Sequence, residues 1–199
     1  MKRIFFIIDK PNDVKDEIVE LALRHGIKLD VILPLSSCRM RTLSDDNRDV
    51  LRRKLRLARE TFNDDAALMA EEVSFEADGL GSAGVAEVIV DISGIDGLLK
   101  SLKGRKRTCR FKWAVGYLTP NSRNPVYFES QIEGSIAEFP GGDWLPECFC
   151  GPLQFIFIPY GRKKQLAKMT KAEYKRFENR KKEESALLKF LNWMRARKL

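Results

Sequence analysis

Histidine is nearly absent from this chain, with a single residue at position 25, and cysteine is scarce, at positions 38, 109, 148 and 150. His25 closes a predicted helix, where a contact with the helix dipole accounts for it, so chemistry built on histidine has little material. Four cysteines in a chain of this size form no disulfide scaffold, and their spacing fits no four-ligand zinc site. Cys148 and Cys150 flank one phenylalanine, an arrangement open to ordinary packing, to chelation of a soft metal, or to a redox pair. Apolar runs are also short. The longest, Ile4 to Ile8 and Phe155 to Tyr160, have the length of buried strands and fall far short of the ~18 residues of a membrane helix. Met1-Lys2-Arg3 leads into a short apolar run and then Asp9-Lys10-Pro11, with neither the apolar core nor the cleavage site of a signal peptide. These absences point to a soluble protein of the cytoplasm with no membrane partner.

What the chain has in quantity is positive charge, unevenly placed. The net charge is +8 over 199 residues; positions 1–100 sum to −4 and positions 101–199 to +12. One cluster runs from Lys103 through Arg105, Lys106, Arg107 and Arg110 to Lys112. A second comprises Arg162, Lys163, Lys164, Lys168, Lys171, Lys175, Arg176, Arg180, Lys181 and Lys182. Charge runs commonly do no more than solvate a surface, but two dense clusters in one half of an otherwise acidic chain suit a polyanion. The expected partner is structured RNA, most concretely ribosomal RNA beside neighbouring ribosomal proteins, with these sixteen side chains as the contacts.

With 44% apolar residues the chain can bury one substantial core, which favours one domain over residues 1–199. Arg3 to Ile8 predicts a strand, Asp13 to His25 a helix capped by Asn12, and Ile27 to Leu33 a second strand, together a β-α-β unit with a parallel pair. Ser44 is the expected cap of a helix reaching Phe62. Its apolar stripe is Val50, Leu51, Leu55, Leu57 and Ala58, with Arg48, Arg52, Arg53, Lys54, Arg56 and Arg59 on the other faces. Strands are then expected at Ala66 to Phe75, Val88 to Ile92 and Lys106 to Leu118, with a short helix at Ile95 to Leu102. The alternation from Val126 to Ile136 reads as a half-buried antiparallel strand, and Phe155 to Pro159 as another. Thr170-Lys171-Ala172-Glu173 is a capping-box pattern opening a basic C-terminal helix over about 171–198. The fold class is thus α/β, a mixed, elongated sheet flanked by helices. Trp144 and Trp193 belong either to the core or to a docking surface.

Three phrases carry a resemblance. Residues 70–84 (Ala-Glu-Glu-Val-Ser-Phe-Glu-Ala-Asp-Gly-Leu-Gly-Ser-Ala-Gly), residues 133–140 (Glu-Gly-Ser-Ile-Ala-Glu-Phe-Pro), and Phe155-Ile156-Phe157-Ile158-Pro159 followed by residues 166–173 are similar to segments of the inosine triphosphate pyrophosphatase family. The resemblance implies that family's fold and, where its chemistry is kept, magnesium-dependent hydrolysis of non-canonical purine nucleoside triphosphates to monophosphates. Glu71 and Glu72 stand where the family has paired aspartates, so they are the candidate catalytic and magnesium-holding residues. Other motif positions depart from the pattern. The phosphate-binding segment after the first strand reads Ile8-Asp9-Lys10-Pro11-Asn12-Asp13, placing two carboxylates and a proline where backbone donors and a lysine meet triphosphate. Pro152-Leu153-Gln154-Phe155 and Glu178-Asn179-Arg180 match the base- and phosphate-recognition motifs only at Arg180. These departures favour a catalytically inactive, pyrophosphatase-like RNA-binding protein without cofactor, against the alternative of an active enzyme using magnesium.

Overall fold

The computed structural model describes residues 2–8, 16–32, 46–62, 65–81 and 84–197. Asn12, Ser44 and the phosphate-binding segment from Asp9 to Asp13 lie outside them. The described residues form the strands β1 (Lys2–Ile7), β2 (Ile27–Ile32), β3 (Leu68–Ala77), β4 (Thr108–Leu118), β5 (Val126–Ile136) and β6 (Phe157–Pro159). The helices are α1 (Asp16–Arg24), α2 (Asn47–Thr61), α3 (Val85–Ser101), α4 (Lys171–Glu183) and α5 (Ala186–Ala196). The strands form one mixed sheet in the order β2-β1-β3-β4-β5-β6, with β1 parallel to β2 and β3 and with β5 antiparallel to β6. The expected mixed α/β sheet flanked by helices is therefore present. By internal contacts the chain divides into two compact units: residues 1–73, 113–130 and 185–199, and residues 74–112 and 131–184.

The first unit follows from strand periodicity. Successive side chains on β1 leave on opposite faces. Ile4, Phe6 and Ile8 pack with Ala22 of α1 and with Leu187, Phe190, Leu191 and Met194 of α5, while Ile7 packs with Leu51, Leu55 and Ala58 of α2. At ~1.5–3 kcal/mol for each fully buried large apolar side chain, the four α5 residues alone are a major stabilising term. Gly116 on β4 permits α2 to lie close, because a Cβ there would stand 2.9 Å from Leu55 Cδ1. The second unit is organised around aromatics. Phe111 meets Phe75, Phe157 and Phe149 with centroids 4.6, 4.9 and 5.1 Å apart, the last two edge-on.

Several elements differ from expectation. Val88–Ile92, an expected strand, lies in α3, which continues across a kink at Gly94 (φ 65). β-branched residues read as strand locally, but here Glu87 of the helix accepts a hydrogen bond from the Phe75 backbone N–H at 2.8 Å, and Leu98 and Leu102 are buried. The expected single helix over 171–198 is two, because Ser185 caps a new start by accepting from the Leu188 N–H. The second of these helices is a core element rather than a basic arm. The cap of α2 is Asp46, which accepts from the Asp49 N–H at 2.8 Å. Phe155 ends a 3-10 turn, Gly151–Phe155, rather than opening β6.

Candidate functional site

In the first unit, α2 buries Asn47, Val50, Leu51, Lys54, Leu55 and Ala58, a stripe at helical spacing. Lys54 stands in the middle of it, although charge alone assigns it to the wet faces. Its ammonium donates to the Glu72 carboxylate of β3 at 2.5 Å, and the two side chains are only 6% and 12% exposed. Such a pair loses much of its hydration, and an apolar pair of the same volume would commonly serve stability as well or better. A buried lysine against a carboxylate on a core-facing stripe therefore marks a candidate site. Other contacts along α2 fix its position. Arg48 grips Glu129 of β5 through two nitrogens, which holds its guanidinium pKa above the ordinary value. Arg59 donates to the Thr119 carbonyl at 3.2 Å.

Glu71 and Glu72 both lie on β3 and are partly buried. Neighbouring side chains of an extended strand leave on opposite faces, so Glu72 meets α2 while Glu71 is directed away from Lys54. Among the described residues no three His, Cys, Asp or Glu side chains group so as to hold a metal ion. Hard carboxylate oxygens nevertheless fit magnesium, which usually takes one or two carboxylates and completes its shell with waters and substrate phosphates. Lys54 and Asn47 are the residues that grouping by charge misses. Their signal is positional: 47, 50, 51, 54, 55 and 58 share one helix face.

In the second unit, the first basic cluster is largely turned inward on itself. Arg110 bridges Glu76 at 3.0 Å and also binds Asp78, while Lys112 reaches Glu76 at 2.8 Å and Lys106 reaches Asp78 at 3.1 Å. Thr108 also donates to Asp78, and that hydrogen bond, followed by the one from Lys106, holds the Asp78 carboxyl below the usual range. Arg107 donates to the carbonyls of Ile136 and Ala137, and Arg105 to that of Gly79. Lys103 is exposed. Most of these cations thus tie β4 to its surroundings.

The second cluster divides differently. Lys164 is held by Glu173 at 2.8 Å, and Lys181 by Glu178 at 2.9 Å. Arg162, Lys163, Lys168, Lys171, Lys175, Arg176, Arg180 and Lys182 are exposed. On α4, Tyr174, Phe177, Glu178 and Lys181 make the inner face, so Lys175, Arg176 and Arg180 fall on outer ones, while Lys171 in the first turn continues the inner stripe but is exposed. Arg180, the motif match, is among these exposed residues. Trp193 packs edge-on with Tyr117 and Phe128 in the core, whereas Trp144 is 53% exposed.

A mixed sheet flanked by helices, with an ion pair buried under its second helix, places the chain in the α/β class. The family model Ham1 family matches residues 17–193, and the chain belongs to the Ham1 family. A dITP/XTP pyrophosphatase of Methanopyrus kandleri is 37% identical over 106 residues, which is 53% of this chain and 52% of that protein. The chain thus spans about half the length of that relative. A nucleoside-triphosphatase, dITP/XTP pyrophosphatase, from Mycobacterium abscessus superposes over 93% of this chain and 99% of its own with TM-score 0.69 and 22% identity. A HAM1 protein from Coxiella burnetii gives TM-score 0.69 at 16% identity, covering 98% of each chain. At these identities the solved structures establish the fold, and the resemblance in the sequence phrases is confirmed as family membership.

Proposed function

We propose that this chain is a nucleotide pyrophosphatase that cleaves a non-canonical purine nucleoside triphosphate to monophosphate and pyrophosphate. The observation that carries the proposal is the buried Lys54–Glu72 pair, an arrangement that fold stability does not require. Family membership and the match to a dITP/XTP pyrophosphatase support an active enzyme over an inactive one. Lys54 supplies a fixed cation for phosphate oxygens in a poorly hydrated site, where its field is stronger than in water. Glu72 orients that ammonium and is the carboxylate on this face that would hold magnesium, whereas Glu71, on the opposite face of β3, would not share the same ion. Magnesium, when bound, neutralises charge developing on the leaving pyrophosphate. The test is pyrophosphate release from dITP, XTP and ITP, with dATP and dGTP as controls. Turnover of the non-canonical set, lowered at least about a hundredfold in Glu72→Gln, is the expected result. No release from any of them would overturn the proposal.

RNA is a second proposed partner, favoured by the exposed cations on the outer faces of α4. Lysine and arginine side chains on such faces meet phosphates without reading sequence. A ribosomal location is the concrete form of that proposal; sedimentation with ribosomal particles at low salt, lost at high salt, is its test.

A further inference from the structure

The second unit carries a thiol pair that the proposed nucleotide chemistry does not use. Cys148 sits between two turns, its N–H donating to the Leu145 carbonyl at 3.0 Å, while the Gly151 N–H returns to the Cys148 carbonyl at 3.4 Å. Gly151, with φ 50, lets the chain reverse there. The two sulfurs stand 3.3 Å apart, against the about 2 Å of a disulfide bond. Their environments differ. Cys148 is half-buried and Cys150 buried, the asymmetry of an attacking thiol in front of a resolving one.

We propose that Cys148 and Cys150 form a redox modification site, oxidised by a hydroperoxide to an intramolecular disulfide. The Cys148 thiolate attacks one peroxide oxygen, the O–O bond breaks, and the released alkoxide or hydroxide takes a proton and leaves as alcohol or water. Cys148 is then a sulfenic acid. The Cys150 sulfur attacks it, the S–S bond forms, the S–O bond breaks, and the Cys150 proton leaves with that oxygen as water. Two electrons pass from the two thiols to one peroxide.

The surroundings suit these roles. The hydrogen bond from Cys150 holds the Cys148 thiol down at about 7 against the effect of burial, with a further hydrogen bond from Tyr174, while the charge of Glu178 opposes it. Cys150 is driven upward, first by that same hydrogen bond and then by burial, and the charge of Lys181 works against this. Lys181 stands 4.1 Å over the Phe149 ring between the two cysteines. Glu178 competes for the single Tyr174 hydroxyl proton, its carboxylate lying 2.9 Å from the Tyr174 oxygen. In contrast, burial pushes the Cys109 thiol up to about 12, so it serves as an internal control.

The experiment treats the reduced full-length protein with hydrogen peroxide, blocks remaining thiols with N-ethylmaleimide, and weighs the tryptic fragment spanning 124–162, which contains Cys148 and Cys150 but not Cys109. The expected result is that fragment lighter by two hydrogens and unlabelled, restored by dithiothreitol. Cys150→Ser should instead accumulate a dimedone-reactive sulfenic acid at Cys148. Alkylation of Cys148 at pH 7 should run about tenfold faster in the folded than in the urea-unfolded chain. The proposal fails if the fragment stays fully alkylated, if either cysteine pairs with Cys38 or with a second chain, or if Cys148 passes to sulfinic acid with Cys150 still labelled. These readouts are masses, independent of whether nucleotides are hydrolysed.

Discussion

At the scale of single residues, Lys54 and Glu72 separate stability from function, because one change that strands a charge and two changes that remove both have opposite consequences for the fold. With Lys54→Met alone, Glu72 keeps its carboxylate at 12% exposure without the ammonium that faces it. Breaking a buried pair in this way costs roughly 3–5 kcal/mol, whereas replacing both partners by apolar side chains of similar volume is often neutral or better. Lys54→Met should therefore lower the urea unfolding free energy by about 3 kcal/mol, and Lys54→Met combined with Glu72→Met should recover most of that loss. Pyrophosphate release should be lost in both variants. A double variant as stable as the parent and still active would show that the pair is only part of the core. Lys54 also shows what was legible at this scale. Its place on the stripe of Val50, Leu51, Leu55 and Ala58 could be read from spacing, but sorting residues by charge sets it among the solvated arginines. Its partner, Glu72, is named from the resemblance, while the contact between the two depends on how α2 lies on the sheet, which no local pattern encodes.

Among the described residues, the start of α4 is held by a complete capping box. Thr170 accepts from the Glu173 N–H while Glu173 accepts from the Thr170 N–H, and Lys164 adds an ion pair to the same carboxylate. Thr170→Ala should cost about 1 kcal/mol of unfolding free energy, the usual loss of an N-cap side chain. The pH dependence has a definite sign. The hydrogen bond from Lys164, then those from Thr170, hold the Glu173 carboxyl down to about 2. A carboxyl depressed in the folded state stabilises fully above its unfolded pKa of about 4.3. That contribution is lost as pH falls through about 2. Glu173→Gln should flatten the fall in unfolding midpoint between about pH 5 and 2 relative to the parent, leaving the difference between the two proteins largest near neutrality; equal slopes would refute the assignment. The box itself was readable as Thr-Lys-Ala-Glu, β5 from its alternation, and β1, β2 and β4 as expected strands. α3 and the break before α5 were not. A run of Val88, Ile89, Val90 and Ile92 carries strand propensity, and only tertiary contacts, such as that of Glu87 with the Phe75 backbone, select the helix. At the other break, Ser185 sits in a polar stretch that local pattern reads as continuous helix until its side chain is seen accepting from Leu188.

For the molecule as a whole, the net charge of +8 overstates the cation surface available to a polyanion. Glu76 and Asp78 already engage Lys106, Arg110 and Lys112, and Arg107 is spent on carbonyls of the chain itself. What remains exposed on α4 includes Lys171, Lys175, Arg176 and Arg180. If these meet phosphates, association with structured RNA is governed by counterion release, and each lost contact removes about one from the slope of log affinity against log salt. Charge reversal at three of them, Lys171→Glu, Lys175→Glu and Arg176→Glu, should therefore reduce that slope by about three and abolish retention on a ribosomal RNA column at roughly 50 mM salt. All three are exposed and none belongs to the Lys54–Glu72 pair, so pyrophosphate release and the urea midpoint should be unchanged. An unchanged slope would mean that α4 carries its charge only as a solvated surface. A matching loss of nucleotide turnover would instead tie the basic face to the enzyme's substrate, and the asymmetry between the two halves would belong to nucleotide chemistry rather than to RNA.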